Sequence, residues 1–579
     1  MKKILLTGMI MILSISLGNA QGFLRTNGEK IVNSSGENIV LRGIGLGGHM
    51  LQEGYMLRVP FSGQQYIYRD SLISLVGTEK TKEFYKAWLA NHTRKIDVDS
   101  LKKWGFNSIR LPMHYNLFTP PVEKEPVKGE NTWFETGFLM TDELLKWCAE
   151  NEMYLILDMH ATPGGQGHDL NISDRDPSKP SLWESKENQQ KLIALWQKLA
   201  KRYSTEPWIG AYDIINEPNW AFTDDGTLEG VLKNGVAEKD NTPLRKLMME
   251  ITEAIRKEDK THIVIIEGNG WGNNYAGVMP PWDDNMVISF HKYWNYNDEG
   301  SIEAVLDMRK KYNTPIWLGE SGENSNVWFQ QAITLMETNN IGWCWWPLKK
   351  LGSNNPLEVK VNPGYENILE YWRGNVSKPD PEVAFSAIMQ LAENTRFENN
   401  IIHYDVIDAM IRQPHTTETR PFKKHVLANS LVIAAVDYDL GRMGEAYFDT
   451  DAANYHVSTG KDRTQWNNGR AYRNDGVDIY ADSDGYYTAD IVTGEWLQYT
   501  VEVKEDGMYA LAALLQTAEK TNLRITAADQ SVSATVPDTF GQWKNLDLGT
   551  LELKKGLLPL RIYFDNGNSK LKEITLKRP

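Results

Sequence analysis

The sequence predicts an α/β protein, a (β/α)₈ barrel followed by an antiparallel, jelly-roll-like β-sandwich. Three observations carry that expectation. Between about residues 38 and 350, short apolar runs alternate with amphipathic stretches; polar residues stand at the C-terminal ends of those runs; and after about residue 428 the pattern changes to short strands separated by Gly, Asp and Asn turns. A chain of 579 residues is too long for one ordinary domain, in keeping with a two-part architecture.

In chain order, residues 1–20 read as a secretory signal peptide. Lys2 and Lys3 precede an apolar run from Ile4 to Leu17, and Gly18-Asn19-Ala20 is a small-residue cleavage site. The run is short for a membrane span and has no stop-transfer pattern after it, so the mature chain is expected to be exported, to the periplasm or the exterior, with no membrane partner. The eight apolar runs are Ile39–Gly45, Asn107–Pro112, Tyr154–His160, Ile209–Asn216, His262–Glu267, Val287–Tyr293, Ile316–Glu320 and Ile341–Trp346. Helical periodicity is clearest at 141–150, 187–203, 243–258, 301–312 and 325–338. Continuous apolar runs suit parallel strands buried on both faces, and a closed barrel places its catalytic groups at the strands' C-terminal ends. The barrel is assigned to residues 21–400 and a polar bridge to 401–427, with a helix over Glu382–Asn394. In the sandwich, 428–579, strands are clearest at Trp496–Val503, Met508–Leu515, Leu523–Ala527 and Leu560–Phe564.

Composition narrows the function. The net charge of −14 argues against nucleic acid or anionic lipid as a partner, since both need clustered positive charge. The 20 Trp and 25 Tyr include many in loop-like segments, where a flat ring with a polar edge suits a pyranose face, although most such rings are expected in the core. The only two cysteines, Cys148 and Cys344, sit in apolar elements and read as buried free thiols, with a disulfide as the alternative.

Two glutamates carry the chemistry. Glu217, in Asn216-Glu217-Pro218, ends the fourth run, and Glu320, in Leu318-Gly319-Glu320-Ser321-Gly322, ends the seventh. Each has a plain structural reading, as a Pro-capped turn and as a polar strand-to-helix loop; Glu323 reads as the latter only. Together, on strands that face each other across a barrel mouth, they converge as a carboxyl pair able to break a glycosidic bond: one protonates the leaving oxygen and the other attacks. The glycines around Glu320 leave room for a ligand to approach the backbone closely. His49, His160, His168 and His291 lack the i, i+4 pairing or Cys-x-x-Cys partners of a zinc site, and neither metal nor organic cofactor is expected.

From about residue 22 to 400 the motifs resemble glycoside hydrolase family 5. Asn107-Ser108-Ile109-Arg110-Leu111-Pro112 is similar to the family's second-strand signature, the segment Asp158–Gln166 to its third-strand His segment, Asn216-Glu217-Pro218 to its acid/base motif and His291-Lys292-Tyr293 to its sixth-strand pair. The resemblance implies Glu320 as nucleophile and Glu217 as acid/base, supported by Arg110, His160, Asn216, His291, Tyr293 and Trp346, with retention of configuration. Arg110 and Tyr293 then keep Glu320 ionised, and Glu217 needs a raised pKa from an apolar setting near Trp220 and from the Glu320 charge. The segment L-R-G-I-G-L-G-G-H-M-L-Q-E (41–53) looks like the exo-β-1,3-glucanase branch, except that His49 stands where that branch carries Trp. This implies a β-glucan or gluco-oligosaccharide substrate, with Glu53 facing the non-reducing-end sugar; a solvated Glu53 paired with Arg58 is the alternative. A non-catalytic glycan-binding scaffold is the rival from another class, and the intact pair of glutamates speaks against it.

Residues 430–579 resemble carbohydrate-binding module family 6, through Tyr472–Ile479 and Gly494–Tyr499. That implies contact with insoluble polysaccharide. The Asn474-Asp475-Gly476 turn and Trp496 read as structural. The family's sugar cleft maps onto Asp490, Phe540 and Lys570, two of which lack the needed ring or amide, and Val436 stands where a calcium carboxylate belongs.

Overall fold

The computed structural model describes residues 22–451, 468–469 and 471–579. The signal segment, 1–20, lies outside the described residues. Eight parallel strands close into a barrel: β1 (Arg42–Gly45), β2 (Ser108–His114), β3 (Tyr154–Ala161), β4 (Ile209–Asp213), β5 (Ile263–Ile266), β6 (Met286–Lys292), β7 (Ile316–Gly322) and β8 (Gly342–Trp346), with β8 pairing back onto β1. All eight coincide with the apolar runs. Every residue of β2, β3, β6 and β7 is buried, as expected of strands covered by helices outside and by packed side chains within. Cys148 and Cys344 are buried and unpaired.

Among the described residues, the α-helices of eight or more residues are α1 (Gln65–Val76), α2 (Thr78–His92), α3 (Lys95–Trp104), α4 (Glu135–Glu150), α5 (Lys186–Tyr203), α6 (Thr242–Glu258), α7 (Glu303–Tyr312), α8 (Asn326–Thr338), α9 (Pro363–Trp372), α10 (Pro381–Asn394) and α11 (Tyr404–Ile411). Two findings depart from the sequence reading. Residues 65–92, for which the sequence reading gives no element, form α1 and α2, which pack Tyr68, Leu72, Phe84 and Trp88 against Tyr365 and Ile388 of α9 and α10 in a core of their own. Within the segment assigned as a bridge, α11 sends Val406 and Met410 into the main barrel core, so this part of 401–427 belongs to the barrel.

The C-terminal domain is two packed sheets. One is built around Trp496–Val503 and Gly556–Phe564, the other around Gly507–Thr517 and Ser569–Lys577, with a continuous apolar core between them. Its Arg473–Asp475 turn is buried against the N-terminal end of α8 and against α11. Around the positions of the expected sugar cleft, Phe540 is 81% exposed, Asp490 accepts a hydrogen bond from the Tyr480 hydroxyl (3.1 Å), and the Lys570 ammonium lies 5.8 Å over the Tyr487 ring.

Candidate active site

Arg110 organises the barrel mouth. It leaves β2 fully buried, and its guanidinium donates to Glu320 Oε2 (2.7 Å), Asp213 Oδ2 (2.8 and 3.0 Å), Asn216 Oδ1 (2.7 Å) and Glu267 Oε1 (3.2 Å), with Asp158 Oδ2 at 3.3 Å. Burial opposes its charge, but the surrounding carboxylates outweigh that and hold its pKa well above the ordinary value. The Tyr293 hydroxyl donates to the other oxygen of Glu320 at 2.9 Å. Both oxygens of Glu320 are therefore fixed by donors, which hold the carboxylate in one orientation.

Glu217 stands on a constrained turn. Its φ of +43° is unfavourable for a side chain with a Cβ and persists only where neighbours over-determine it. They do. The Glu217 amide donates to Glu267 Oε2 (2.7 Å), Asn219 Nδ2 to the Glu217 carbonyl (2.8 Å), and Gln166 Nε2 to the carbonyls of Asn216 (2.8 Å) and His160 (2.7 Å). The Glu217 carboxyl meets His291 Nδ1 at 2.6 Å, and His291 Nε2 lies 3.2 Å from Glu267. Burial raises the Glu217 pKa against the pull of His291, and the charges of Glu320 and Glu267 add to the rise. The direction is the one expected from the sequence: burial comes first, and the Glu320 charge contributes.

An oxygen of Glu217, an oxygen of Glu320 and a ring nitrogen of His291 all lie within 4.8 Å of one another. Among the described residues this is the single cluster of three potential metal ligands, and its polar atoms are already engaged: Glu217 by His291, Glu320 by Arg110 and Tyr293.

Trp346 closes the floor. Its indole stacks on the His160 ring (5.0 Å, 2°), and its Nε1 donates to the Tyr55 hydroxyl (2.8 Å). Gly45 and Gly47 make room for it, since a Cβ at either would come within 3.0 Å or 2.7 Å of the indole. The glycines beside Glu320 serve the same kind of packing. A Cβ on Gly319 would collide with Ser289 of β6 and one on Gly322 with the Trp346 carbonyl of β8, so these positions accommodate neighbouring strands rather than a ligand.

His160 is held by Asp158 (2.8 Å) and faces Glu53 at 3.7 Å. Burial opposes its protonation, but Asp158 prevails and the pKa is pushed up to about 10. Burial pushes Glu53 up to about 7, against the pull of His160. Glu53 is thus a buried carboxyl facing His160, not a solvated partner of Arg58. On the Glu217 side, His168 stacks on Trp220 (4.0 Å, 12°), and Trp271 Nε1 donates to Asp169 (3.3 Å).

Of the residues singled out from the sequence, Glu217, Glu320, Arg110, His160, Asn216, His291, Tyr293, Trp346 and Glu53 come together in this cluster. His49 does not join it: the ring stacks on His92 (5.5 Å), and burial, then the Lys349 charge, push its pKa down to about 3. Sequence reasoning passed over the site roles of Asp158, Asp213, Glu267 and Gln166. The signal was there for Asp213 at the end of β4 and Glu267 just beyond β5, where only a buried partner makes a carboxylate tolerable, whereas Asp158 lies inside β3 and Gln166 in the loop after it.

A closed barrel presenting two facing glutamates from its mouth has the frame of a glycoside hydrolase. The profile for cellulase (glycosyl hydrolase family 5) matches residues 70–352. A beta-xylosidase of Phanerodontia chrysosporium is 30% identical over 383 residues, 60% of this chain and 75% of that protein. Endoglucanase C of Acetivibrio thermocellus is 31% identical over 320 residues, 44% of this chain and 83% of that protein. A probable glucan 1,3-beta-glucosidase A of Aspergillus niger is 23% identical over 302 residues, 52% of this chain and 66% of that protein. The chain belongs to glycosyl hydrolase family 5, and it is a glycoside hydrolase.

Proposed function

We propose that this protein is an exported retaining β-glycosidase of β-glucan or gluco-oligosaccharides, with Glu320 as nucleophile and Glu217 as acid/base. The carrying observation is the approach of the two carboxyls, with an oxygen of each within 4.8 Å of the other. Retaining enzymes place the pair about 5–5.5 Å apart, and inverting enzymes need several ångströms more to admit a water. In the first step the ionised Glu320 attacks the anomeric carbon while protonated Glu217 donates to the leaving oxygen. Once Glu320 is an ester its charge no longer acts on Glu217, which then accepts a proton from the incoming water. Proton NMR of the first-formed product is expected to show the substrate's own anomeric configuration; inversion would end this reading. The glucan assignment is supported by the names of the similar endoglucanase and glucosidase, and export by the 1–20 segment.

We further propose that the barrel trims chain ends. Glu53, beside His160 on the Trp346 side of the pair, accepts hydrogen bonds from two free hydroxyls of a terminal sugar; in an internal sugar one of those oxygens carries the next residue and has no proton to give. With its pKa pushed up to about 7, Glu53 is half ionised near neutrality. KM on short oligosaccharides is therefore expected to fall as pH rises through 7, and Glu53→Gln should remove that dependence while raising KM. Viscosity of a long β-glucan should fall slowly relative to reducing-end release, and a rapid fall at low release would refute end trimming.

The sandwich is expected to add little affinity through its loop-end cleft. Phe540 is exposed there with the Lys544 ammonium 5.9 Å over its ring, and the nearby rings of Tyr487 and Trp543 face the ammonium groups of Lys570 and Lys572 at 5.8 and 5.6 Å. A stacked ring contributes about 0.5–1.5 kcal/mol beyond area burial, so its absence matters. Retention of the full chain on insoluble glucan is expected to be unchanged in Phe540→Ala, and loss of retention would show that the cleft binds after all.

A further inference from the structure

The candidate nucleophile stands near the end of β7, and the segment that follows it, residues 321–325, leads through a short loop into α8. Its inner side is tied to the barrel: Ser321 Oγ donates to the Lys292 carbonyl (2.7 Å), and Glu323 pairs with Lys350 (2.5 Å), whose ammonium lies over the Tyr55 ring. Its far end is tied to the sandwich. Asn474 Nδ2 donates to the Asn324 carbonyl (2.8 Å), and the Asn326 amide donates to the Asn474 carbonyl (2.9 Å). Asn326 Nδ2 donates to Asp475 Oδ1 (3.1 Å) and to Asp405 Oδ2 of α11 (2.8 Å), and the Asn474 amide donates to that same Asp405 oxygen (2.8 Å).

The side chains of Asn324, Asn326, Asp405, Asn474 and Asp475 are buried, whereas Glu323 and Lys350 are half-buried. The turn itself is rigid, because Asp475 is held by Arg473 (2.8 Å) and the Tyr438 hydroxyl (3.0 Å), with the Arg473 guanidinium 3.6 Å over the Tyr438 ring. Withdrawing the turn would strip the Asn324 carbonyl and the first amide of α8 of their partners. Buried polar groups left unpaired cost enough to make the loop rearrange. Rearrangement reaches the site by two routes: through the backbone to Glu320, and through Glu323 and Lys350 to Tyr55, which receives the Trp346 indole.

We propose that the Asn474–Asp475 turn of the sandwich is a positioning element of the active site, setting the loop that aims Glu320, so that the sandwich contributes to turnover even of substrates too small to touch it. The proposal rests on Glu320 being the nucleophile. It predicts that the C-terminal domain is not a removable module.

The test uses the full chain and a soluble aryl β-glucoside. In Asn474→Ala, kcat and the rate of covalent labelling by an activated 2-deoxy-2-fluoroglucoside should fall together, by between about tenfold and a hundredfold, the range set by small misplacements of reacting groups. KM should stay within about twofold. Leu557→Ala, on an exposed strand position of the same domain, should match wild type. If Asn474→Ala is not folded at the assay temperature by thermal melting, Asn326→Ala tests the same contacts from the barrel side. Unchanged kcat and labelling rate in a folded variant, or a rise in KM at constant kcat, would overturn the proposal. Labelling of wild type on a peptide without Glu320 would instead overturn the nucleophile assignment.

Discussion

Glu320→Gly is expected to lower turnover on the order of 10⁴-fold or more, the scale seen when a covalent nucleophile is removed. Azide should then restore part of the activity, giving a glycosyl azide of inverted configuration. The substitution leaves a space lined by Arg110 Nη1 and the Tyr293 hydroxyl, two donors that no longer have Glu320 to bond. A small anion fits that space and attacks from the face the carboxylate used, so one displacement replaces two. The fold should survive, because Arg110 keeps Asp158, Asp213 and Glu267 around it. Melting curves and azide kinetics check both halves of the expectation. A variant with substantial activity, or an azide product of retained configuration, would remove Glu320 from its role.

The barrel was legible because parallel strands covered on both faces have no polar side to show. Each is a continuous apolar run, and its polar end residue marks the mouth. The helical annexe was harder to read. In α2 the buried Phe84 and Trp88 are separated by Lys86 and flanked by Lys82 and Glu83, so the average over the stretch is polar although one face is apolar. The sandwich was half legible for a related reason. Gln530–Val536 and Ser569–Lys577 alternate Ser, Thr, Lys and Glu with single apolar residues, and such strands fall below any threshold set by continuous runs.

In the site, Glu217 and Glu320 were found because each closes a recognisable motif near a strand end, whereas Asp158, Asp213 and Glu267 are charges buried around Arg110 and owe their meaning to partners distant in sequence. The Asn474-Asp475-Gly476 turn shows the same limit. Locally it is a turn and nothing more, and its contacts with Asn324, Asn326 and Asp405 exist only once the two domains meet.

Glu217→Ala should reduce turnover according to how much the leaving group needs a proton. For a glucan, whose leaving sugar is a poor one, the loss should be about 10²–10⁴-fold, the usual worth of a positioned acid. An activated aryl glycoside leaves almost unaided, so its first step should be nearly unchanged and its second, which needs the base, should become limiting. Azide needs no base and should speed that second step, giving a product of retained configuration because the ester to Glu320 has already formed. The pH profile supplies an independent reading. Burial holds the Glu217 pKa above the ordinary carboxyl value, so the acid stays protonated, and wild-type turnover persists, to higher pH than a solvent-exposed carboxyl would allow. In Glu217→Ala that alkaline limb should vanish for aryl substrates. An unaltered limb would assign it to another group, with His291, whose pKa is also raised, as the first to examine. Equal losses on glucan and activated glycoside would mean that Glu217 does not protonate the leaving oxygen, whatever else it holds in place.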